Sequence, residues 1–272
     1  AFANGDMLAI IFFAVFFGIT LSFINSKHSS PVVSVIKSIY NVIIKMTQII
    51  ISLAPIGVFG LMVKAVSNSG LDIFKDLGWY AATIASGLSI HLFIVLPLIL
   101  IFLVRVNPLE HFRAMAPAMV TAFSTSSSSA TLPVTMKCVR DNVKVSNGTT
   151  SFVLPMGSTI NMDGTALYEC AGVLFIAQAL GVPLDAGQQF IVVITALLAS
   201  IGAAGIPSAG LVMLFTVTDA VGFQSETVAL WVGSMLAIDR PLDMFRTMVN
   251  ISSDSVGAAV IAKSEGEKLY SE

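Results

Sequence analysis

Long charge-poor apolar runs alternate with short polar connections along the whole chain. The runs are Met7–Ser26, Ile39–Val63, Leu77–Val104, Arg113–Met136, Thr149–Leu180, Gly187–Thr218 and Thr227–Ala262. Most are long enough for a helix that crosses a bilayer, which needs about 20 residues. The pattern predicts an all-α polytopic membrane protein.

Basic residues orient the runs. Lys27 and Lys37 flank the first connection, Arg105 and Arg113 flank Asn107–His111, and Lys137, Arg140 and Lys144 fill the next. Lys263 and Lys268 mark the tail, whereas the connections near Asp185 and between Asp219 and Glu226 carry neither Lys nor Arg. The basic connections are read as cytoplasmic. The fourth run is then bounded by basic connections on both sides and the sixth by acidic ones. Each must enter and leave on one face, as a re-entrant hairpin. Their centres agree: Ser124–Pro133 (STSSSSATLP) and Ile201–Gly210 (IGAAGIPSAG) carry helix-weakening residues mid-run. Irregular backbone at membrane depth survives when buried in protein or lining a cavity. Interrupted helices in corresponding halves point to a transport site.

Composition sharpens the picture. Of 272 residues, 56% are hydrophobic and 11% charged, with mean hydropathy +0.89. Soluble domains carry about 25% charged residues. A net charge of −2 leaves no basic field for nucleic acid. Cys138 and Cys170 make no disulfide framework. Residue 1 is Ala, and Asp6 stands where a signal peptide has basic residues. We therefore expect the natural chain to begin upstream.

Charge inside the apolar runs carries the chemistry. Asp239, Asp243, Arg246, Thr247, Asn250 and Asp254 fall within an arc of roughly 100° at helical periodicity. Intramembrane charges must be paired and face protein or water. An ion-pair seam would explain Asp243 and Arg246 but not the continuation of the stripe to Asp254. The fifth run is interrupted at Asn161–Thr165 (NMDGT), followed by Glu169. Free carbonyls and carboxylates at such a break suit a hard cation. His91 has no partner nearby in sequence and is read as a packed, hydrogen-bonded histidine. No Ser–His or Ser–Lys spacing supports a hydrolase, so the chain is not read as an enzyme.

Four stretches together resemble the glutamate/aspartate transporters, the dicarboxylate/amino-acid:cation symporters: Ser126–Pro133, Asn161–Tyr168, Ala199–Gly210 and Asp243–Asn250. The resemblance implies the glutamate-transporter fold, an inverted repeat with two hairpins and broken helices, lacking here its first three helices. It implies residues 1–70 as incomplete scaffold, 71–111 as the sixth-helix equivalent, and 112–265 as a moving transport core. Within that core lie hairpin 1 (112–138), the broken helix (149–180), hairpin 2 (187–222) and the last helix (226–262), before a cytoplasmic tail at 263–272. The whole protein would be a homotrimer working as an elevator in a bacterial inner (plasma) membrane.

The resemblance also assigns roles. Arg246 would meet the side-chain carboxylate of an acidic amino acid and Asp243 its amino group. Thr165, Thr247 and Asn250 would add hydrogen bonds. Ser128, Gly205 and Ile206 would close from the two tips, hairpin 2 being the outer lid. No cofactor is implied beyond coupling sodium ions. One would use carbonyls of Gly157, Asn161 and Asn250 with the Asp254 carboxylate. A second would use carbonyls of Thr159, Ser200, Ile201 and Ala203. A third would use Asn161 and Asp163.

Some positions depart from the family pattern. Archaeal members carry Arg at the position of Ser126, and animal members at that of Met244. We expect Arg240 to supply the displaced charge near Asp243. Glu169 matches an acidic residue that animal members use in proton coupling. Aspartate or glutamate is the expected substrate. Alternatives are C4-dicarboxylates, neutral amino acids, proton-coupled glutamate symport, or a channel activity.

Overall fold

The computed structural model describes residues 7–53, 56–57, 59–60, 63, 66–67, 70–203, 205 and 207–270. The chain divides into two compact units, Ala1–Gly70 and Leu71–Glu272.

In the first unit, α1 spans Met7–Ser22 and α2 spans Ser26–Ser52. The segment between Lys27 and Lys37, expected as a connection, is helical instead. Asn25 supplies the reason: its carbonyl accepts from His28 and Ser29, and its side chain accepts from the Lys27 N–H at 3.0 Å. This caps a helix that continues into the apolar positions from Val32 onward.

The second unit begins with α3, which runs from Asp72 to Ile90 and continues through π-helical turns at His91–Val95 and Leu100–Val104 on either side of Leu96–Ile99. Pro97 lies in that middle segment and withholds an N–H from the carbonyl four residues back, so the helix relaxes to a wider register nearby. Ile73–Val104 is long and apolar enough to cross a membrane. Arg105 ends it in the left-handed region, and Asn107 caps the next helix.

Two helix pairs occupy the stretches of the fourth and sixth runs. Helices α4 (Pro108–Thr125) and α5 (Ser128–Asp141) pack together across Ser126 and Ser127. Ser126 is left-handed (φ 51°), and the Ser127 hydroxyl caps α5 by accepting from the Ala130 N–H. Helices α8 (Ala186–Gly202) and α9 (Ala209–Asp219) form the other pair. Between the pairs, α6 (Asn147–Ile160) and α7 (Asp163–Ala179) are separated by Asn161 and Met162, where the helix breaks. The final helix, α10, runs unbroken over Ser225–Ser264. It packs against α3, α4, α6, α7 and α9 and organises the unit.

One core joins α4, α5, α6 and α10 through Met115, Val139, Leu154, Ile251 and Ala258. Outward-facing Phe93, Phe102, Phe190 and Val212 are 63–70% exposed. Such an apolar exterior suits lipid rather than water.

The tail is docked. Glu267 accepts from the Ser146 N–H, the Ser146 hydroxyl and the Thr149 hydroxyl, each at 2.7 Å. The Tyr270 N–H donates to Val143 at 3.0 Å. His111, expected in a connection, lies in the first turn of α4 and is fully buried. Its ring meets the Tyr270 hydroxyl at 2.5 Å and the Ser255 hydroxyl at 2.9 Å. Burial pushes its pKa down to about 4. Glu267 loses a little solvent, which raises its carboxyl, but the bonds from Thr149 and Ser146 outweigh that and hold it below its usual value.

Candidate functional site

The polar stripe of α10 is buried along its length. Asp239, Asp243, Arg246, Thr247, Asn250 and Asp254 are each no more than 4% exposed. Bare charges there would be costly, so their partners define the site.

Arg246 is the centre. One terminal nitrogen, Nη2, donates to Asp243 Oδ1, and the guanidinium carbon lies 4.7 Å from the centroid of the Tyr168 ring. The other, Nη1, is buried without a hydrogen-bond partner among the described residues. Helix α9 reaches this nitrogen at Gly210, where an added Cβ would stand 2.1 Å from Nη1. Asp239 accepts from the Tyr168 hydroxyl at 2.9 Å and the Ser208 hydroxyl at 2.7 Å, while the Ser208 N–H donates to Asp243 Oδ2 at 2.9 Å.

The two helix pairs meet at their tips beside this cluster. The Gly205 carbonyl accepts from the Ser127 hydroxyl at 2.6 Å and the Ser129 N–H at 3.4 Å. A Cβ on Gly205 would lie 2.6 Å from Ser129 Oγ and 3.1 Å from the Ser129 backbone nitrogen, so a larger residue would push the tips apart. A small cavity of about 10 Å³ remains between the tips, α7 and α10, room for about one water. Ser128, Thr165, Gly205, Gly210, Arg246 and Asn250 line it. The structure thus gathers most of the expected substrate residues. Ile206 lies outside the described residues.

The break in α6–α7 builds a second cluster. Asn250 Nδ2 donates to Thr165 Oγ1 at 3.0 Å, and its Oδ1 accepts from the Gly164 N–H at 2.9 Å. Asn161 Nδ2 lies 2.7 Å from Ser253 Oγ and 2.9 Å from Asp254 Oδ1. Gly157 abuts Asp254, whose Oδ1 would lie 2.7 Å from an added Cβ. Gly157, Asn161, Asp163 and Asp254 line a cavity of about 430 Å³ together with His91. Among the described residues no three His, Cys, Asp or Glu side chains gather as metal ligands. The donors are carbonyl, amide, hydroxyl and single carboxylate oxygens, a set that fits a hard, weakly charged cation. Of the other expected set, Ser200 and Ala203 are buried at the end of α8, while Thr159 is exposed on α6.

Arg240 is not brought to the site. It is exposed, and no bond among the described residues joins it to Asp243. Pro241 leaves the helix unbroken, and Arg240 stands at the exposed edge of the stripe; among the described residues the charge bonded to Asp243 is that of Arg246. Glu169 is fully buried on α7, and neither of its oxygens has a hydrogen-bond partner among the described residues.

Sequence reasoning missed three participants. His91 Nε2 meets Asp163 Oδ2 at 2.5 Å from the first π-helical turn of α3; the histidine is hydrogen-bonded as expected, but to a partner 72 residues away. Tyr168 stands three residues after Thr165, on the same helix face, a signal that could have placed it. Ser208 has no local signal.

This arrangement belongs to a known class of transporters. The family model for the sodium:dicarboxylate symporter family matches residues 1–264, and the chain belongs to that family. It is 43% identical over 265 residues to mouse excitatory amino acid transporter 3 and 40% identical over 272 residues to human excitatory amino acid transporter 2. Those alignments take in 97% and 98% of this chain but 50% and 46% of the relatives. The chain therefore spans about half the length of the relatives it matches. Membership makes it part of an integral membrane transporter. The relatives are mammalian and lend no support to a bacterial inner membrane.

Proposed function

We propose that the protein carrying this sequence is a secondary active transporter that couples sodium to the symport of acidic amino acids, aspartate or glutamate. The observation that carries this reading is the buried Nη1 of Arg246, which has no hydrogen-bond partner among the described residues and faces the junction of the two helix-pair tips. A desolvated guanidinium with a free donor favours a carboxylate strongly. A neutral side chain would leave that donor unmet.

Arg246 takes the substrate's side-chain carboxylate and Asp243 its amino group. Thr165, Thr247 and Asn250 add hydrogen bonds, while Ser128 and the backbone at Gly205 and Ile206 close over it. Sodium supplies positive charge and a template for closure. The residues that hold it are Gly157, Asn161, Asn250 and Asp254 in one set, Asn161 and Asp163 in another, and Thr159, Ser200, Ile201 and Ala203 under the lid. Asn250 belongs to both a cation set and the substrate site, so ordering it for one ligand favours the other. Residues 112–265 move as the transport core, residues 1–70 form part of a static scaffold, and the whole protein is a plasma-membrane homotrimer.

Glu169 favours a second coupling ion. A bare charge without partners is costly, so a carboxyl placed this way suits proton transfer with the substrate.

Reciprocal ligand stabilisation tests the reading. L-Aspartate should raise the melting temperature of the purified natural protein only with sodium present, and aspartate should lower the sodium concentration needed. Stabilisation by aspartate in potassium alone would sink sodium coupling.

A further inference from the structure

Ser253 precedes Asp254 on α10, is 7% exposed, and lines the same cavity as Asn161, Asp163 and Asp254. Its hydroxyl touches a member of each cation set at the helix break. Oγ accepts from Asn161 Nδ2 at 2.7 Å, and it lies 2.9 Å from Asp163 Oδ1 and 3.0 Å from the Asn250 carbonyl oxygen. A hydroxyl carries one proton and two lone pairs. The proton goes to Asp163 or to the Asn250 carbonyl, and Asn161 takes one lone pair, which leaves the other. Asp163 is braced without this contact: its Oδ2 meets His91 Nε2 at 2.5 Å, and its Oδ1 accepts from the Gly164 N–H at 2.9 Å. A buried hydroxyl with a choice of acceptors and a lone pair to spare can do more than hold a neighbour.

We propose that the Ser253 hydroxyl is a further sodium ligand, joining Asn161 and Asp163 in their cation set. The inference rests on the sodium-coupled reading above. Two side chains are a sparse set for a hard cation, which gathers several oxygens. When Ser253 turns its proton to the Asn250 carbonyl, its oxygen and Asp163 Oδ1 both present lone pairs, and at 2.9 Å apart they can share one cation. The hydroxyl adds a hard ligand without adding charge, which suits a monovalent ion. The same rotation removes the hydroxyl proton from Asp163, so the carboxylate is freed for the cation as the new ligand is supplied. A serine that only positioned Asp163 would keep its proton there.

Ion preference separates a ligand from a positioning residue. The melting temperature of the purified natural full-length protein is read against sodium or thallium(I) concentration, as nitrates at constant ionic strength and without aspartate. Ser253→Ala removes the oxygen and should raise the sodium concentration for half-maximal stabilisation about tenfold, the scale of one lost bond to a charged group. Ser253→Cys keeps the shape but offers soft sulfur, which favours a soft cation. Its thallium-to-sodium affinity ratio should exceed that of the Ala variant about tenfold. Equal ratios in the two variants would make Ser253 a support for Asp163 and overturn the proposal. So would a sodium shift below about twofold in Ser253→Ala. Wild-type protein that sodium does not stabilise, with or without aspartate, would instead sink the sodium-coupled reading and this ligand with it.

Discussion

Arg246 and Asp243 stand three residues apart on α10 and form a buried ion pair that uses only one terminal nitrogen of the guanidinium. The pair fixes the side chain, and the other nitrogen is left pointing at the junction of the hairpin tips.

Replacing Arg246 by Lys should therefore do more than move a charge. The fork is lost, and Asp243 keeps only a flexible point-charge partner. We expect kcat/KM for aspartate uptake to fall about a hundredfold, the worth of a charged two-bond contact. Radiolabelled uptake in liposomes checks this, and a fall below threefold would contradict it.

Gly210 touches the same nitrogen from the lid. Gly210→Ala places a methyl group 2.1 Å from the present Nη1 position, so either Arg246 or the lid must shift. Aspartate affinity should weaken at least about tenfold with little change in melting temperature. Titration calorimetry on the purified protein measures both the affinity and its sodium dependence.

Asp163 is held by His91 and Ser253 beside the break in the helix. Asp163→Asn removes a carboxylate from one proposed cation set and leaves the Arg246–Asp243 pair in place. The sodium concentration for half-maximal uptake should rise roughly tenfold. Uptake at saturating sodium should change much less, and the reverse pattern would remove Asp163 from the cation set.

The docked tail gives a pH signature. His111 is neutral when folded, with its pKa near 4 against the ordinary histidine value of 6.5. Below the unfolded value the unfolded chain takes up protons that the folded chain refuses. Its contribution is thus complete above about pH 6.5 and is lost as pH falls toward 4, about 3 kcal/mol in all. Glu267 acts in the same direction: its lowered folded value stabilises above the usual carboxylate range and ceases to do so as pH falls through that value. Melting temperature in detergent should drop between pH 7 and 5, and His111→Gln should flatten the drop.

The parts legible in the sequence are those where one residue type is costly in its surroundings. Asp239 through Asp254 stood out because charges in an apolar run need partners. The break at Asn161–Met162 stood out because Asn, Asp and Gly interrupt an otherwise apolar helix. Other relationships leave no local trace. Ser208 reaches Asp239 across 31 residues and His91 reaches Asp163 across 72. Serine and histidine are unremarkable in their own segments. The segment between Lys27 and Lys37 looked like a connection because basic residues flank it, but Asn25 caps it as helix. Tyr270 lies in a short polar tail whose docking depends on the His111 ring and the Val143 carbonyl, both distant in sequence.

The most direct test of the account is sodium-gradient-driven uptake of L-aspartate by the natural full-length protein in liposomes, with succinate and L-serine as competitors. The account predicts uptake that requires the sodium gradient and that neither competitor blocks, because one lacks the amino group for Asp243 and the other lacks the carboxylate for Arg246. Succinate transport without aspartate uptake would contradict the assigned substrate, and gradient-independent uptake would contradict sodium coupling.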